Sequence, residues 1–291
     1  YGSAIGTSPR SDLYRRGSPF LVHANKLWHD VEQLTHLINA GRLPGARFWP
    51  VVQGYLGALG GGLTRPPDDF GFFVMDAAWF AAVGRHAGSL VYLPPAPAPG
   101  HPALEGVLNP ARDFVALERD FLAATPQLVV VDDFLAPAAL ASLVEFCTEA
   151  TVFYDTRVGY LGAYFEEGLA ASPVVLAVVE ALRAALPGVI GDLPLVNAWV
   201  YKYDSEERGI AVHADSATVN LNLWLTPDEA NLDPASGGLV VYEKEPPADW
   251  SFDDYNHFST EVRGAGRGSG GCGGLSNFFC WYVPFQLIAC I

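Results

Sequence analysis

His213 and Asp215 are the two side chains whose types and spacing could bind a metal ion. They lie two residues apart in the segment VHAD, so on an extended backbone both project from the same face of a strand. An imidazole nitrogen and a carboxylate oxygen placed in this way can bind one metal ion. The alternative is a chance pair on a surface turn, because a tripeptide alone has little specificity.

A second histidine would complete a set of two imidazoles and one carboxylate, which leaves three open positions on Fe(II). After Asp215 the only histidine is His257, and the only cations are Lys244, Arg263 and Arg267. The residues that follow His257, FSTEVRGAG, have no strand pattern and end in glycine. A metal ligand needs a rigid support, so a surface-loop histidine is favoured over a third ligand.

Four segments around this pair have the composition of β-strands. They cover residues 197–203, 210–213, 218–225 and 237–242. In the third, valine and leucine alternate with Thr218, Asn220, Asn222 and Trp224, so these four side chains share one face. The amide groups of Asn220 and Asn222 either line a cavity, where they could orient a bound molecule, or face solvent at a sheet edge.

Helical patterns dominate the chain before these strands. Apolar residues recur at three- and four-residue steps from Ala24 to Ala40, and Ser172 followed by Pro173 starts a helix that stops at Pro187. Further helices are predicted at 49–59, 110–121 and 137–150, and a buried strand at 128–131. The histidines on or beside the first helix, His23, His29 and His36, lack the spacing of a metal pair and are expected to be solvated.

Helices first and strands afterwards predict an α+β fold in three parts. Residues 1–125 form a mainly helical amino-terminal region, residues 126–262 a β domain, and residues 263–291 a glycine-rich and then apolar tail. The helical region carries no chemical signature of its own. Its apolar stripes fit docking against the β domain or a partner.

The order of these features resembles the Fe(II)- and 2-oxoglutarate-dependent oxygenases, in particular the prolyl-4-hydroxylase-like branch. A strand that bears Tyr203, NAWVYKYD, precedes His-x-Asp, and Gly237-Gly238 opens the later strand GGLVVY. The pattern covers residues 128–242. The resemblance implies a double-stranded β-helix, which is a jelly roll related to the cupins.

The resemblance also implies roles for individual residues. His213 and Asp215 would be the iron ligands at a catalytic centre, and Tyr203 and Asn222 are candidates to bind 2-oxoglutarate. Tyr203 also fits an ordinary half-buried strand tyrosine. The implied cofactors are Fe(II) and 2-oxoglutarate, with O₂ as co-substrate and ascorbate as a candidate auxiliary reductant. The implied reaction is hydroxylation, and a prolyl or other side chain of a protein is the implied substrate.

The sequence departs from the family's pattern after Gly238. The family has a distal histidine followed by an arginine or lysine that pairs with 2-oxoglutarate, and no strand pattern here carries them. The simplest account is that the tail from Gly264 replaces those strands. This account leaves two functions open: a dioxygenase domain with an incomplete site, and a catalytically inactive binding module derived from the same fold. A hydrolytic metalloprotein is weaker, because no HExxH motif accompanies the pair.

The tail itself has two interpretations. Its apolar end is about as long as the shortest membrane-spanning helices, but Asn277, Pro284 and Gln286 interrupt it and no cations flank it. We therefore expect a terminus with little native structure rather than a membrane anchor.

Charge and cysteine content restrict the partners. The formal net charge of −15 argues against nucleic acid, because phosphate binding needs a cationic face. The four cysteines have neither zinc-site nor disulfide-framework spacing, which favours a reducing, cytoplasmic location. The chain starts at Tyr1 and its one methionine is Met75, so we expect the natural amino terminus to lie upstream.

Overall fold

The computed structural model describes residues 21–62, 71–157, 160–203, 217–231, 251 and 285–290. Its described residues mix helix and sheet, which confirms the α+β class. Two hydrophobic cores are present, one before Tyr92 and one after it. We call the two parts the amino-terminal lobe and the sheet lobe.

The described part of the amino-terminal lobe contains a small antiparallel pair of strands and three α-helices. The strands are β1 (Leu21–His23) and β2 (Phe72–Val74), and the helices are α1 (Ala24–Asn39), α2 (Gly45–Gly57) and α3 (Ala77–Ala82). Nδ1 of His23 accepts a hydrogen bond from the Asn25 N–H at 3.0 Å and so starts α1. Leu27, Leu34 and Leu37 of α1 bury one apolar stripe in this core.

In its described residues, the sheet lobe contains four α-helices and a five-stranded sheet. The helices are α4 (Pro102–Glu105), α5 (Phe114–Ala123), α6 (Pro137–Glu149) and α7 (Pro173–Ala185). The strands are β3 (Asp155–Arg157), β4 (Tyr160–Tyr164), β5 (Leu195–Tyr203), β6 (Asn220–Trp224) and β7 (Phe285–Cys290). Their order in the sheet is β3-β4-β5-β7-β6. Neighbours from β3 to β5 are antiparallel, whereas β7 is parallel to both β5 and β6.

Helices α6 and α7 cover one face of this sheet. Ala198 and Val200 of β5 and Leu223 of β6 are buried in the same core as the stripe of α7 that includes Val178 and Leu182. Alternation along β5 therefore sends every second residue toward the helices and the others to the opposite face.

Most predicted helices and strands that fall on described residues are present with small shifts of boundary, and the predicted strands at 210–213 and 237–242 lie outside the described residues. Two predictions differ. The residues predicted as a buried strand, 128–131, pair with no strand in the described part of the chain, and Val130 is 77% exposed. The helix predicted from Pro110 starts at Phe114, because the Asp113 carboxylate accepts the Ala116 N–H at 2.9 Å and caps it there.

The tail contributes a strand where we expected little native structure. Phe285–Cys290 pairs with β5 on one side and β6 on the other. A parallel strand between two neighbours reads as a continuous apolar run, without the alternation of a half-exposed strand, and FQLIAC fits this. The three-part division of the chain remains a prediction. Within the described ranges, no helix combines the length and apolarity that crossing a membrane would require.

Candidate functional site

The predicted metal ligands fall in the gap between two described strands. His213 and Asp215 lie in residues 204–216, which are outside the described residues. His257 and Gly237-Gly238, further along the chain, are also outside them. The gap begins directly after Tyr203 at the end of β5 and closes at Ala217, just before β6. The metal site therefore stays a prediction. The described residues lie on both sides of it in the sequence but do not include its ligands.

Tyr203 and Asn222 lie on the same face of the sheet. On β5, Trp199, Tyr201 and Tyr203 alternate with the residues that face the helices. On β6, Asn222 alternates with the core residue Leu223. The pairing through β7 puts Asn222 in the same row as Trp199, which fixes the common face.

The register does not bring these two candidates together. Tyr203 lies four positions beyond Trp199, which is about 13 Å along a strand, and β7 separates β5 from β6. The two side chains could bind different ends of one small molecule or different molecules, but not one atom.

Aromatic rings cover much of this face, which we call the aromatic face: Tyr160, Tyr164, Trp199, Tyr201 and Tyr203. Tyr160 lies 5.0 Å from Tyr201 and 5.6 Å from Tyr203 between ring centroids, and Tyr164 lies 6.3 Å from Trp199. Such edge-to-face and tilted contacts stabilise a fixed arrangement of rings. Burial raises the pKa of Tyr201, so its hydroxyl stays protonated and can donate a hydrogen bond.

Two buried polar atoms near the aromatic face have no hydrogen-bond partner in the described structure: Nε1 of Trp199 and Oδ1 of Asn220. Asn220 belongs to this face because it alternates with Leu221 and precedes Asn222 by two. An orphaned buried polar group costs about 1–3 kcal/mol. One donor and one acceptor in this state fit a polar ligand that lies against the sheet.

A charged cluster on the opposite face escaped sequence analysis. Nζ of Lys202 donates to Nε2 of His29 at 3.0 Å, and Nδ1 of His29 lies 3.0 Å from Oδ1 of Asp30. The same carboxylate oxygen accepts from Nζ of Lys26 at 2.5 Å. We call these four residues, Lys26, His29, Asp30 and Lys202, the charge chain.

Burial shifts the titration of the charge chain. It lowers the pKa of His29 to about 4, against the opposing effect of Asp30, and lowers the pKa of Lys202 to about 8. Burial alone would raise the pKa of Asp30, but Lys26 and His29 together lower it. The prediction that the early histidines are solvated is therefore wrong for His29 and for His23, which is 4% exposed.

A signal for the charge chain was present in the sequence. Lys26, His29, Asp30 and Gln33 follow helical spacing and form a polar stripe beside the apolar stripe of α1. The spacing could not predict Lys202 as the partner of His29, because Lys202 lies far along the chain.

Two further findings concern metal ligands and the similarity to known proteins. Among residues within the described ranges, no group of three or more histidine, cysteine, aspartate or glutamate side chains is placed to hold a metal ion. Comparison with known proteins gives no match to a family model, to a curated protein or to a solved structure.

Proposed function

We propose that this chain is an Fe(II)- and 2-oxoglutarate-dependent dioxygenase domain, a hydroxylase whose β domain belongs to the jelly-roll class. One observation carries the proposal. Tyr203 and Asn222 share one face of a sheet, and the strands that bear them border the segment with His213 and Asp215 on both sides. The parallel pairing of β7 with β5 and β6 departs from the antiparallel pairing of a jelly roll.

The residues of the aromatic face fit the proposed ligands. A dicarboxylate needs hydrogen-bond donors, and Trp199 Nε1 is a donor on this face without a partner in the described structure. The amide oxygen of Asn220 can accept a hydrogen bond from a metal-bound water or from substrate. Packed rings around these groups exclude water, which strengthens each polar contact.

His213 and Asp215 would hold Fe(II), and Tyr203 would donate to a carboxylate of 2-oxoglutarate. Bound iron, with 2-oxoglutarate and O₂, supplies the oxidant for C–H hydroxylation. Asn222 would orient the bound molecules through its amide.

Arg157 is the candidate cation for the far carboxylate of 2-oxoglutarate. The register of the antiparallel strands puts it in one row with Tyr160 and Tyr203. The family's pattern has this cation after Asp215, whereas Arg157 precedes the pair.

The second candidate function is an inactive binding module. It is favoured by β7, because the strand between β5 and β6 contains neither a histidine nor a cation. If this strand stands where the family has the strand with its distal histidine, iron lacks its third protein ligand.

The test is anaerobic Fe(II) and 2-oxoglutarate binding, followed by exposure to O₂ and measurement of succinate. We expect the wild type to bind iron and release succinate, His213→Ala and Asp215→Ala to do neither, and Arg157→Met to need more 2-oxoglutarate. His36→Ala is the matched control, since His36 is 52% exposed on α1. Iron binding without succinate selects the inactive module, and the absence of iron binding rejects both functions.

A further inference from the structure

The contact between the two lobes is made by polar groups. The Gln33 amide donates to the carbonyls of Thr148 and Ala150 at 2.9 and 3.1 Å. Arg42 Nε lies 3.3 Å from Glu149 Oε2. Each lobe buries its own apolar core, and these charges and hydrogen bonds join the two.

The charge chain is part of this contact and has one consistent pattern of donors. Lys202 on β5 donates to Nε2 of His29, so that nitrogen must be an unprotonated acceptor. Nδ1 of His29 then carries the proton and donates to Asp30, which also accepts from Lys26. The Lys202 ammonium lies 4.1 Å from the centre of the Phe153 ring, a cation–π contact.

The charges around His29 disfavour its protonation. Lys26 and Asp30 face it from α1, Lys202 from β5, and the Cys147 thiol of α6 lies near Lys202. Tyr154, which follows Phe153, interacts with Asp30. With two ammonium groups and one carboxylate, the chain already has one net positive charge. Protonated His29 would add a second and would point an N–H at the Lys202 ammonium.

We propose that the charge chain is an acid-sensitive contact, and that protonation of His29 releases α1 of the amino-terminal lobe from β5 of the sheet lobe. The proposal concerns the assembly of the two lobes and does not depend on the proposed enzymatic function.

The sign of the pH dependence follows from linkage. The docked state holds the pKa of His29 at about 4, below its ordinary value of 6.5. The docked state therefore binds fewer protons in this range, so the contribution of His29 to docking is fully present above pH 6.5 and is lost as the pH falls toward 4. The pKa of Lys202, about 8 against an ordinary 10.5, has the same sign: docking strengthens from pH 8 to 10.5.

The test is hydrogen exchange of the whole chain between pH 8 and 4, with protection corrected for the pH dependence of chemical exchange. We expect protection in α1 to fall below pH 6.5 by up to about tenfold per pH unit, the slope for one proton. Helix α7, inside the core of the sheet lobe, keeps its protection.

His29→Gln should remove the acid dependence. His36 lies 3.7 Å from Glu149 across the same contact, and its protonation would strengthen that pair, so His36→Gln should leave the loss of docking toward pH 4 in place. His86→Gln is a second control and should also keep the acid dependence. Burial lowers the pKa of His86 as well, but His86 lies within the amino-terminal lobe. Lys202→Met should abolish the strengthening between pH 8 and 10.5, which tests the contact even if His29→Gln does not fold. Protection in α1 that is independent of pH in the wild type, or a dependence that survives His29→Gln, would overturn the proposal.

Discussion

Strand β5 separates two chemically different environments. Toward the helices, Lys202 joins His29, Asp30 and Lys26 in a chain in which each donor has an acceptor. On the other face, Trp199 Nε1 has no hydrogen-bond partner in the described structure, and neither does Asn220 Oδ1 of β6. Strand β5 thus carries a hydrogen-bonded polar network on one face, and on the other face β5 and β6 each carry one buried polar group without a partner in the described structure.

This difference distinguishes a face with a structural role from a face that is a candidate for ligand binding. A buried network whose members satisfy one another can specify how two parts of a protein dock, and it offers nothing to a ligand. Orphaned buried groups call for an explanation such as a bound molecule. In the described structure the hydroxyl of Thr156, in the row of Lys202, is one such group, whereas the aromatic face carries two. The aromatic face is therefore the better candidate for binding, and the charge chain the better candidate for holding the lobes together.

Asp30→Asn should have the largest effect on this comparison. It removes the only carboxylate of the charge chain and leaves Lys26 and Lys202 as uncompensated, partly buried cations. We expect a loss of about 3–5 kcal/mol in the free energy of unfolding at pH 7, the usual cost of breaking a buried ion pair. Chemical denaturation monitored by circular dichroism measures it.

The control for Asp30→Asn is Asp120→Asn. Asp120 pairs with Arg119 on an exposed surface of α5, where such pairs contribute less than about 1 kcal/mol. Equal losses in the two variants would mean that the charge chain is no more important than a surface pair.

Tyr203→Phe tests the other face and should have an intermediate effect. A hydrogen bond to a charged group contributes about 1.5–3 kcal/mol, so losing the hydroxyl should weaken 2-oxoglutarate binding roughly tenfold to a hundredfold. Anaerobic titration in the presence of Fe(II) measures the dissociation constant.

Tyr164→Phe is the matched control on the same face. The Tyr164 hydroxyl donates to the Asp155 carboxylate at 2.9 Å, so this variant should lose about 1.5–3 kcal/mol of stability and keep its affinity for 2-oxoglutarate. Unchanged affinity in Tyr203→Phe would remove Tyr203 from the proposed site.

Local signals in the sequence predicted elements better than partners. The Ser172-Pro173 start and the apolar spacing of α7 are sufficient to fix that helix, and alternation predicted β6 and its two faces. The partner of His29 lies 173 residues away, and no local pattern encodes such a distance. The position of β7 also depends on which strands are left unpaired. Tyr203 and Asn222 were predicted as candidates, but their separation on the sheet required the register.

Asn220→Leu should have the smallest effect and gives the sharpest comparison. It replaces the orphaned amide with an apolar group of similar size, so the free energy of unfolding without ligand should rise by up to about 1 kcal/mol, because a buried group no longer lacks a partner. Thermal unfolding measures the change, and Asn222→Leu on the same strand face is the control, with an expected change within about 0.5 kcal/mol. If Asn220 accepts a hydrogen bond from a bound molecule, saturating Fe(II) and 2-oxoglutarate should stabilise the wild type more than the variant and reverse the order. A gain that persists at saturation would leave the aromatic face without a ligand at this position.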